Sequence, residues 1–148
     1  MIFRSGILLS LMLAGLLATA PAARAEPPRF EDIVEREVPT LKDGTRIPIG
    51  EVQRALIQAL LKHKFDAEAV APGHIIARYT QRRRSFEVDI YYTETTYSVL
   101  HKSSRRMKLD AYNERLASLE EQVDEQFEVV MQRMKRIALK QSRRSLRA

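Results

Sequence analysis

The chain has 148 residues, of which 25 are Lys or Arg and 19 are Asp or Glu, so its formal net charge is +6. This length predicts one small domain, because domains commonly hold about 100–200 residues. The chain has no cysteine, which excludes a disulfide, a lipid-bearing cysteine and a cysteine nucleophile. Packing alone must therefore stabilise the fold.

The first 25 residues have the pattern of a secretory signal peptide. Arg4 precedes an apolar run over residues 7–20, and residues 23–25 form a small-x-small cleavage motif. The run is shorter than the roughly 20 residues of a membrane-spanning helix. We expect cleavage after Ala25 and a mature protein in the periplasm or outside the cell; an uncleaved membrane anchor is the alternative. Export argues against ATP-driven chemistry and against nucleic acid as a partner.

Charge is unevenly distributed along the mature chain. Removal of the signal peptide takes away Arg4 and Arg24 and leaves 23 basic and 19 acidic residues among 123. Residues 131–148 hold seven Lys or Arg and no acid, whereas residues 26–130 hold 16 basic and 19 acidic residues. A mildly acidic body therefore carries a strongly basic tail.

Residues 26–48 precede the first periodic segment. They contain four prolines and an Asp-Gly turn signal but no sustained apolar period, which predicts a flexible tether with little fixed structure. From Gly50 to about Lys64 the pattern becomes helical, with Glu51 in the first turn, where a carboxylate complements the helix dipole. The apolar residues of this first helix are Val52, Ala55, Leu56, Ala59 and Leu60.

Between residues 65 and 102 the hydrophobic period changes to two, which predicts four strands. A weak strand over 65–71 is followed by a Pro-Gly turn, and the second strand is followed by a basic turn over 82–84. The fourth strand covers residues 96–102. The third strand alternates most clearly, with one face formed by Phe86, Val88, Ile90 and Tyr92 and the other by Glu87, Asp89 and Tyr91.

A second helix begins near Ala111, with apolar residues at every third or fourth position. From Tyr112 to Ile137 this stripe covers 26 residues, about 39 Å of helix, against about 26 Å for a strand of eight residues. The helix is therefore expected to extend beyond the sheet. The stripe consists of Tyr112, Leu116, Leu119, Val123, Phe127, Val130, Met134 and Ile137.

These elements predict an α+β fold in which a four-stranded antiparallel meander is flanked by an N-terminal helix and a long C-terminal helix. The domain covers residues 49–130. Residues 131–148 form a basic amphipathic tail.

Short motifs in these elements form a recognisable pattern. They are Gly73-x-Ile75-x-Ala77, Val88-x-Ile90-x-Tyr92, Tyr97-Ser98-Val99, Ser104 and Tyr112-Asn113. Over roughly residues 50–125 the chain thus resembles an uncharacterised family of small bacterial envelope proteins, many of them lipoproteins. The resemblance implies the same fold and an envelope location, but no activity. The chain departs from the pattern at His101 (usually Tyr), Phe65 (usually Trp) and residues 106–107 (usually Asn-Leu).

The basic tail is the sharpest functional signal. On a helix with about 100° per residue, six of its seven cations fall within one sector of about 100°, beside apolar Met134 and Ile137. Such a helix is typical of segments that bind anionic membrane surfaces or acidic partners; a frayed, solvated end is the alternative. The candidate surface-binding residues are Arg133, Arg136, Lys140, Arg143, Arg144 and Arg147.

The polar face of the sheet is a second candidate, as a surface for a partner. A metal site that joins His74 to this face lacks any tight ligand spacing, and the serines near His101 lack a nucleophile elbow. We therefore expect no metal, no cofactor and no catalytic residue. The candidate partner-face residues are Glu87, Asp89, Tyr91 and His101.

Together these features predict an exported, non-catalytic binding or scaffolding module of the cell envelope. It is expected to bind an envelope protein or anionic lipid and to be peripheral to the membrane. The alternatives are a small envelope enzyme or ligand-binding protein that uses the polar sheet face, and a homo-oligomer formed through the second helix.

Overall fold

The structure is a computed structural model that describes residues 27–147. The predicted signal peptide and its cleavage site lie outside the described residues. The elements are β1 (Ile33–Glu37), α1 (Ile49–Lys62), β2 (Phe65–Ala71), β3 (His74–Gln81), β4 (Arg84–Tyr92), β5 (Thr96–Arg105) and α2 (Leu109–Ser145). The strands form one antiparallel sheet in the order β1-β5-β4-β3-β2, and both helices share a core with one of its faces. The predicted α+β class is confirmed.

The sheet has five strands, whereas the sequence predicts four. The additional strand, β1, lies in the segment for which we expected little fixed structure, and its Ile33 pairs with Val99 of β5. The register shifts between Ile33 and Arg36, and Glu35 has a φ of +49°. A bulge interrupts the alternation of a strand, so the period that reveals the other strands misses this one.

The segment around β1 also joins the core. Val38 and Ile47 are buried. The guanidinium of Arg36 lies 3.0 Å from a carboxylate oxygen of Glu120 and 3.0 Å from one of Asp124, both on α2. Apolar burial and an ion-pair network therefore hold this edge of the sheet against the long helix.

The other four strands form the predicted meander. Ile75 pairs with Ile90, and Ile90 pairs with Val99, so the three side chains lie side by side on one face. All three are buried beneath the helices. The predicted alternation of β4 is confirmed, because Phe86, Val88, Ile90 and Tyr92 are all buried.

α2 is one continuous helix of 37 residues, about 55 Å long. Its stripe is buried from Tyr112 to Val130. After Lys135 every described helical residue is exposed, so residues 136–145 form a segment that we call the projecting helix. Within residues 27–147, no helix has the length and apolar character needed to cross a membrane.

Candidate functional site

The face of the sheet that points away from the helices, here called the outer face, carries the polar residues of β3 and β4. Glu87, Asp89 and Tyr91 lie on it, opposite in side-chain direction to their buried neighbours in β4. In the β3–β4 register, Arg78 pairs with Glu87 and His74 pairs with Tyr91. The meander thus brings cations and an imidazole next to the predicted partner-face residues.

Glu87 is held by two cations. Its Oε2 accepts hydrogen bonds from Nε and Nη2 of Arg78, at 3.1 and 2.7 Å, and its Oε1 lies 3.1 Å from Nζ of Lys102. The bond from Arg78, followed by that from Lys102, lowers the pKa of Glu87, and the carboxylate in turn raises the pKa of Lys102. An ionised carboxylate that is already engaged by two donors is a poor general base.

His74 and Asp89 form a second polar pair on the outer face. Nε2 of His74 lies 2.8 Å from Oδ1 of Asp89. The ring of Tyr91 stacks on the imidazole, with 4.4 Å between centroids and 14° between planes. Tyr91 is still 46% exposed, so its ring offers a large, oriented contact surface, as tyrosines do at interfaces.

His101 does not lie on the outer face. Alternation along β5 places it on the same side as Val99, and the register pairs it with buried Val88. The sequence prediction grouped it with the polar residues of β4 because the pairing of β4 with β5 was not known. The predicted partner face therefore keeps Glu87, Asp89 and Tyr91 and loses His101.

His101 belongs instead to an aromatic pocket between the sheet and α2. Phe30 stacks on its imidazole, and Tyr112 lies edge-on to both rings at 5.1 Å. Its Nε2 is buried without a hydrogen-bond partner among the described residues, whereas its backbone N–H donates to Oδ1 of Asp32 at 2.6 Å. The sequence does not reveal the role of Phe30, since this residue precedes any periodic segment.

The separation of the two histidines bears on the metal and hydrolase alternatives. His74 and His101 lie on opposite faces of the sheet and cannot ligate one ion together. Within the described part of the chain, no group of three or more His, Asp or Glu side chains is arranged to hold a metal ion. Oγ of Ser98 accepts a hydrogen bond from the backbone N–H of Glu35 at 2.9 Å, so this hydroxyl helps to join β1 to β5.

The predicted surface-binding cations fall into different environments. Nη1 of Arg133 lies 3.2 Å from Oε2 of Glu51 on α1, so this residue joins the two helices. Nε of Arg136 donates to the backbone carbonyl of Gln132 at 3.3 Å. Arg147 follows the end of α2 and is not part of the helix, contrary to the wheel drawn from the sequence.

Three cations of the projecting helix remain: Lys140, Arg143 and Arg144. They are exposed and have no acidic partner among residues 27–147. Beside them lie Leu139, which is 60% exposed, and Leu146 just after the helix, which is 85% exposed. Helical periodicity does not reveal these two leucines, because they lie outside the stripe that continues the core. The free end of α2 thus combines cations with exposed apolar side chains.

The apolar stripe of α2 is used within the chain. Tyr112, Leu119 and Phe127 are each at most 1% exposed, and they pack against the sheet and α1 in one core. Self-association through this stripe would have to compete with that packing.

No protein family model, curated protein or solved structure matches this chain.

Proposed function

We propose that the protein is exported, has no catalytic activity and acts as a binding module of the bacterial cell envelope, with its projecting helix held on an anionic membrane surface. The observation that carries this proposal is the end of α2, where residues 136–145 leave the core and are exposed on all sides. The projecting helix buries no side chain against the rest of the described protein. Its free cations and the exposed leucines beside them are therefore available to bind a membrane surface.

The chemistry of this end suits peripheral binding. Each basic residue near an anionic bilayer contributes roughly 1 kcal/mol, and the attraction falls off over a Debye length of about 8 Å at physiological salt. Burial of an exposed leucine contributes roughly 1.5–3 kcal/mol. Lys140, Arg143 and Arg144 together with Leu139 and Leu146 supply both contributions, as in helices that lie in a membrane interface.

The envelope location is inferred from the signal-peptide pattern and from the resemblance to small envelope proteins. Protein recovered after export should begin at Glu26, which mass spectrometry of the N-terminal peptide measures. A chain that still begins at Met1 and resists extraction by salt would contradict export with cleavage and would make residues 7–20 an anchor.

The outer face is assigned to a protein partner and not to catalysis. Glu87 is engaged by Arg78 and Lys102, whereas Tyr91 is oriented and exposed. A protein anchored by its projecting helix keeps this face free, because the helices cover the other side of the sheet.

The membrane proposal is tested by cosedimentation with vesicles of phosphatidylglycerol and phosphatidylcholine. The deletion should remove residues 136–148 and spare Met134, which packs partly against the core. The shortened protein should keep its circular dichroism melting curve and lose vesicle binding. Binding of the full-length protein should fall as salt rises and should require phosphatidylglycerol.

A charge-matched pair of variants separates a specific site from net charge. Lys140→Gln/Arg143→Gln/Arg144→Gln removes three cations of the projecting helix. The control, which removes three exposed lysines elsewhere, is Lys42→Gln/Lys62→Gln/Lys64→Gln. The first should weaken binding at least tenfold and the second by less than threefold. Equal binding by all variants, or no binding by the full-length protein, would refute the membrane role, and capture of an acidic envelope protein without vesicle binding would replace it.

A further inference from the structure

Arginines are concentrated at the end of the sheet from which α2 starts. Three occupy the two-residue turn between β3 and β4 and the first position of β4, and two lie at the end of β5 and directly after it. The β4–β5 register, in which Ser85 pairs with Arg105, brings the two groups side by side. We call this set the arginine cluster: Arg82, Arg83, Arg84, Arg105 and Arg106.

The arginine cluster has no counter-charge. All five residues are exposed, and none forms an ion pair with any residue of the range 27–147. Elsewhere arginines do find carboxylates: Arg36 contacts Asp124, and Arg78 contacts Glu87. Like charges on neighbouring strands repel one another, so the free cluster is electrostatically unfavourable and a bound anion would relieve it.

Two residues of the arginine cluster have a positive φ, as do Glu35 and Lys64 outside it. Arg82 has a φ of +56° and Arg106 a φ of +53°. This left-handed region is adopted most easily by glycine and asparagine, which are the residues that such turns prefer. Residues that contradict their local backbone preference are found preferentially at functional sites.

An open groove lies between the side chains of the cluster. It has a volume of about 360 Å³, and Thr80 and Ser85 also line it. No carboxylate of residues 27–147 lines this groove, although Glu114 lines the adjacent one with Arg84 and Arg115. Guanidinium groups donate paired, charge-assisted hydrogen bonds that match the oxygens of phosphate, and the two hydroxyls add further donors.

We infer that the arginine cluster binds a phosphate-bearing group, carried by a lipid headgroup or by a soluble phosphoanion. Five exposed arginines at one end of the sheet, and a groove that no carboxylate of residues 27–147 lines, fit a ligand of high negative charge. α2 begins three residues after Arg106 and runs about 55 Å to its far end. The cluster and the projecting helix are thus separate sites at opposite ends of the molecule, and this inference does not depend on the proposed membrane role of the helix.

Two probes distinguish the sources of phosphate. Inorganic pyrophosphate is titrated into protein purified after export, with sulfate at equal ionic strength as the control for screening. Phosphatidic acid vesicles are compared with phosphatidylglycerol vesicles for the headgroup. The test variant is Arg83→Gln/Arg84→Gln/Arg105→Gln. The matched variant, which loses the same three charges at the other end, is Lys140→Gln/Arg143→Gln/Arg144→Gln.

The inference expects saturable binding of pyrophosphate but not of sulfate. Binding should weaken at least tenfold in the cluster variant, Arg83→Gln/Arg84→Gln/Arg105→Gln, and less than twofold in the helix variant, Lys140→Gln/Arg143→Gln/Arg144→Gln. This result would establish a site for soluble phosphoanions. A preference for phosphatidic acid over phosphatidylglycerol vesicles that falls at least tenfold in the cluster variant and persists in the helix variant would assign the headgroup. Equal effects of both variants on both probes, or equal responses to pyrophosphate and sulfate, would overturn the inference. Binding of neither pyrophosphate nor phosphatidic acid vesicles would also overturn it. Unchanged melting curves and far-UV circular dichroism establish that the variants are folded. If the triple cluster variant does not fold, the single variant Arg105→Gln replaces it in the same measurements.

Discussion

The ring of Phe30 lies parallel to the imidazole of His101, with 4.3 Å between their centroids and 3° between their planes. Next to this stack, the hydroxyl of Tyr112 donates to the carbonyl of Glu31 at 3.0 Å, and Oδ1 of Asn113 accepts from the backbone N–H of Glu31 at the same distance. Aromatic contact and hydrogen bonds together fix the segment before β1 to β5 and α2.

Replacement of Phe30 tests whether this stack holds the N-terminal edge. Phe30→Ala should reduce the free energy of unfolding by about 1–3 kcal/mol, less than the 3–5 kcal/mol typical of a fully buried Phe, because Phe30 is only partly buried. Amide hydrogen exchange should accelerate first in β1. Phe30→Tyr keeps the ring and should leave the exchange rates near those of the wild type. Uniform acceleration across all strands would contradict a local role.

Two neighbouring residues of β4 test the assignment of the sheet faces. Ile90 is 1% exposed and Tyr91 is 46% exposed. Ile90→Ala should cost about 2–5 kcal/mol, because it leaves a cavity in the core, whereas Tyr91→Ala should cost less than about 1 kcal/mol. Urea unfolding measures both. A larger effect at Tyr91 would show that the faces are reversed.

The pH dependence of stability should reveal the Glu87 network. Hydrogen bonds from Arg78 and Lys102 lower the folded-state pKa of Glu87, so the network stabilises the fold above the unfolded-state pKa and loses this effect as the pH falls through the folded-state value. At pH 7, Glu87→Gln should cost less than about 1 kcal/mol, as for exposed ion pairs. As the pH falls below the ordinary Glu pKa of about 4.3, the difference from the wild type should shrink, as measured by urea unfolding at pH 7 and pH 3. A difference that is equal at both pH values would rule out a contribution of the charge.

The β2–β3 turn requires a glycine at position 73. Gly73 has a φ of +77°, and a Cβ there would lie 3.1 Å from the carbonyl oxygen of Tyr92. Gly73→Ala should therefore cost at least about 1–2 kcal/mol. Gly50 lies in the first turn of α1, and an added Cβ would have no atom of residues 27–147 within 4 Å beyond its chain neighbours and the backbone of its own helix. Gly50→Ala should therefore stabilise by about 0.4–1 kcal/mol. The urea midpoint should fall for Gly73→Ala and rise for Gly50→Ala. A lower midpoint for both variants would contradict this account.

Local periodicity was sufficient to predict most of the elements. The two faces of β4, with Ile90 inside and Glu87 outside, follow from alternation within one strand. The long stripe of α2 follows from helical spacing and predicts a helix longer than the strands. These features depend on side chains a few positions apart, because the geometry of one strand or helix decides which of them share a face.

The tertiary structure decided the features that depend on pairing between distant segments. A bulge at Glu35 removes the period of β1, so its place in the sheet depends on contact with β5. The face on which His101 lies depends on the β4–β5 register. Arg133 is paired with Glu51 because α1 packs against α2, and Arg105 joins the β3–β4 turn because of strand pairing. No local pattern specifies these partners, since residues far apart in the chain meet only when the whole sheet and both helices are assembled.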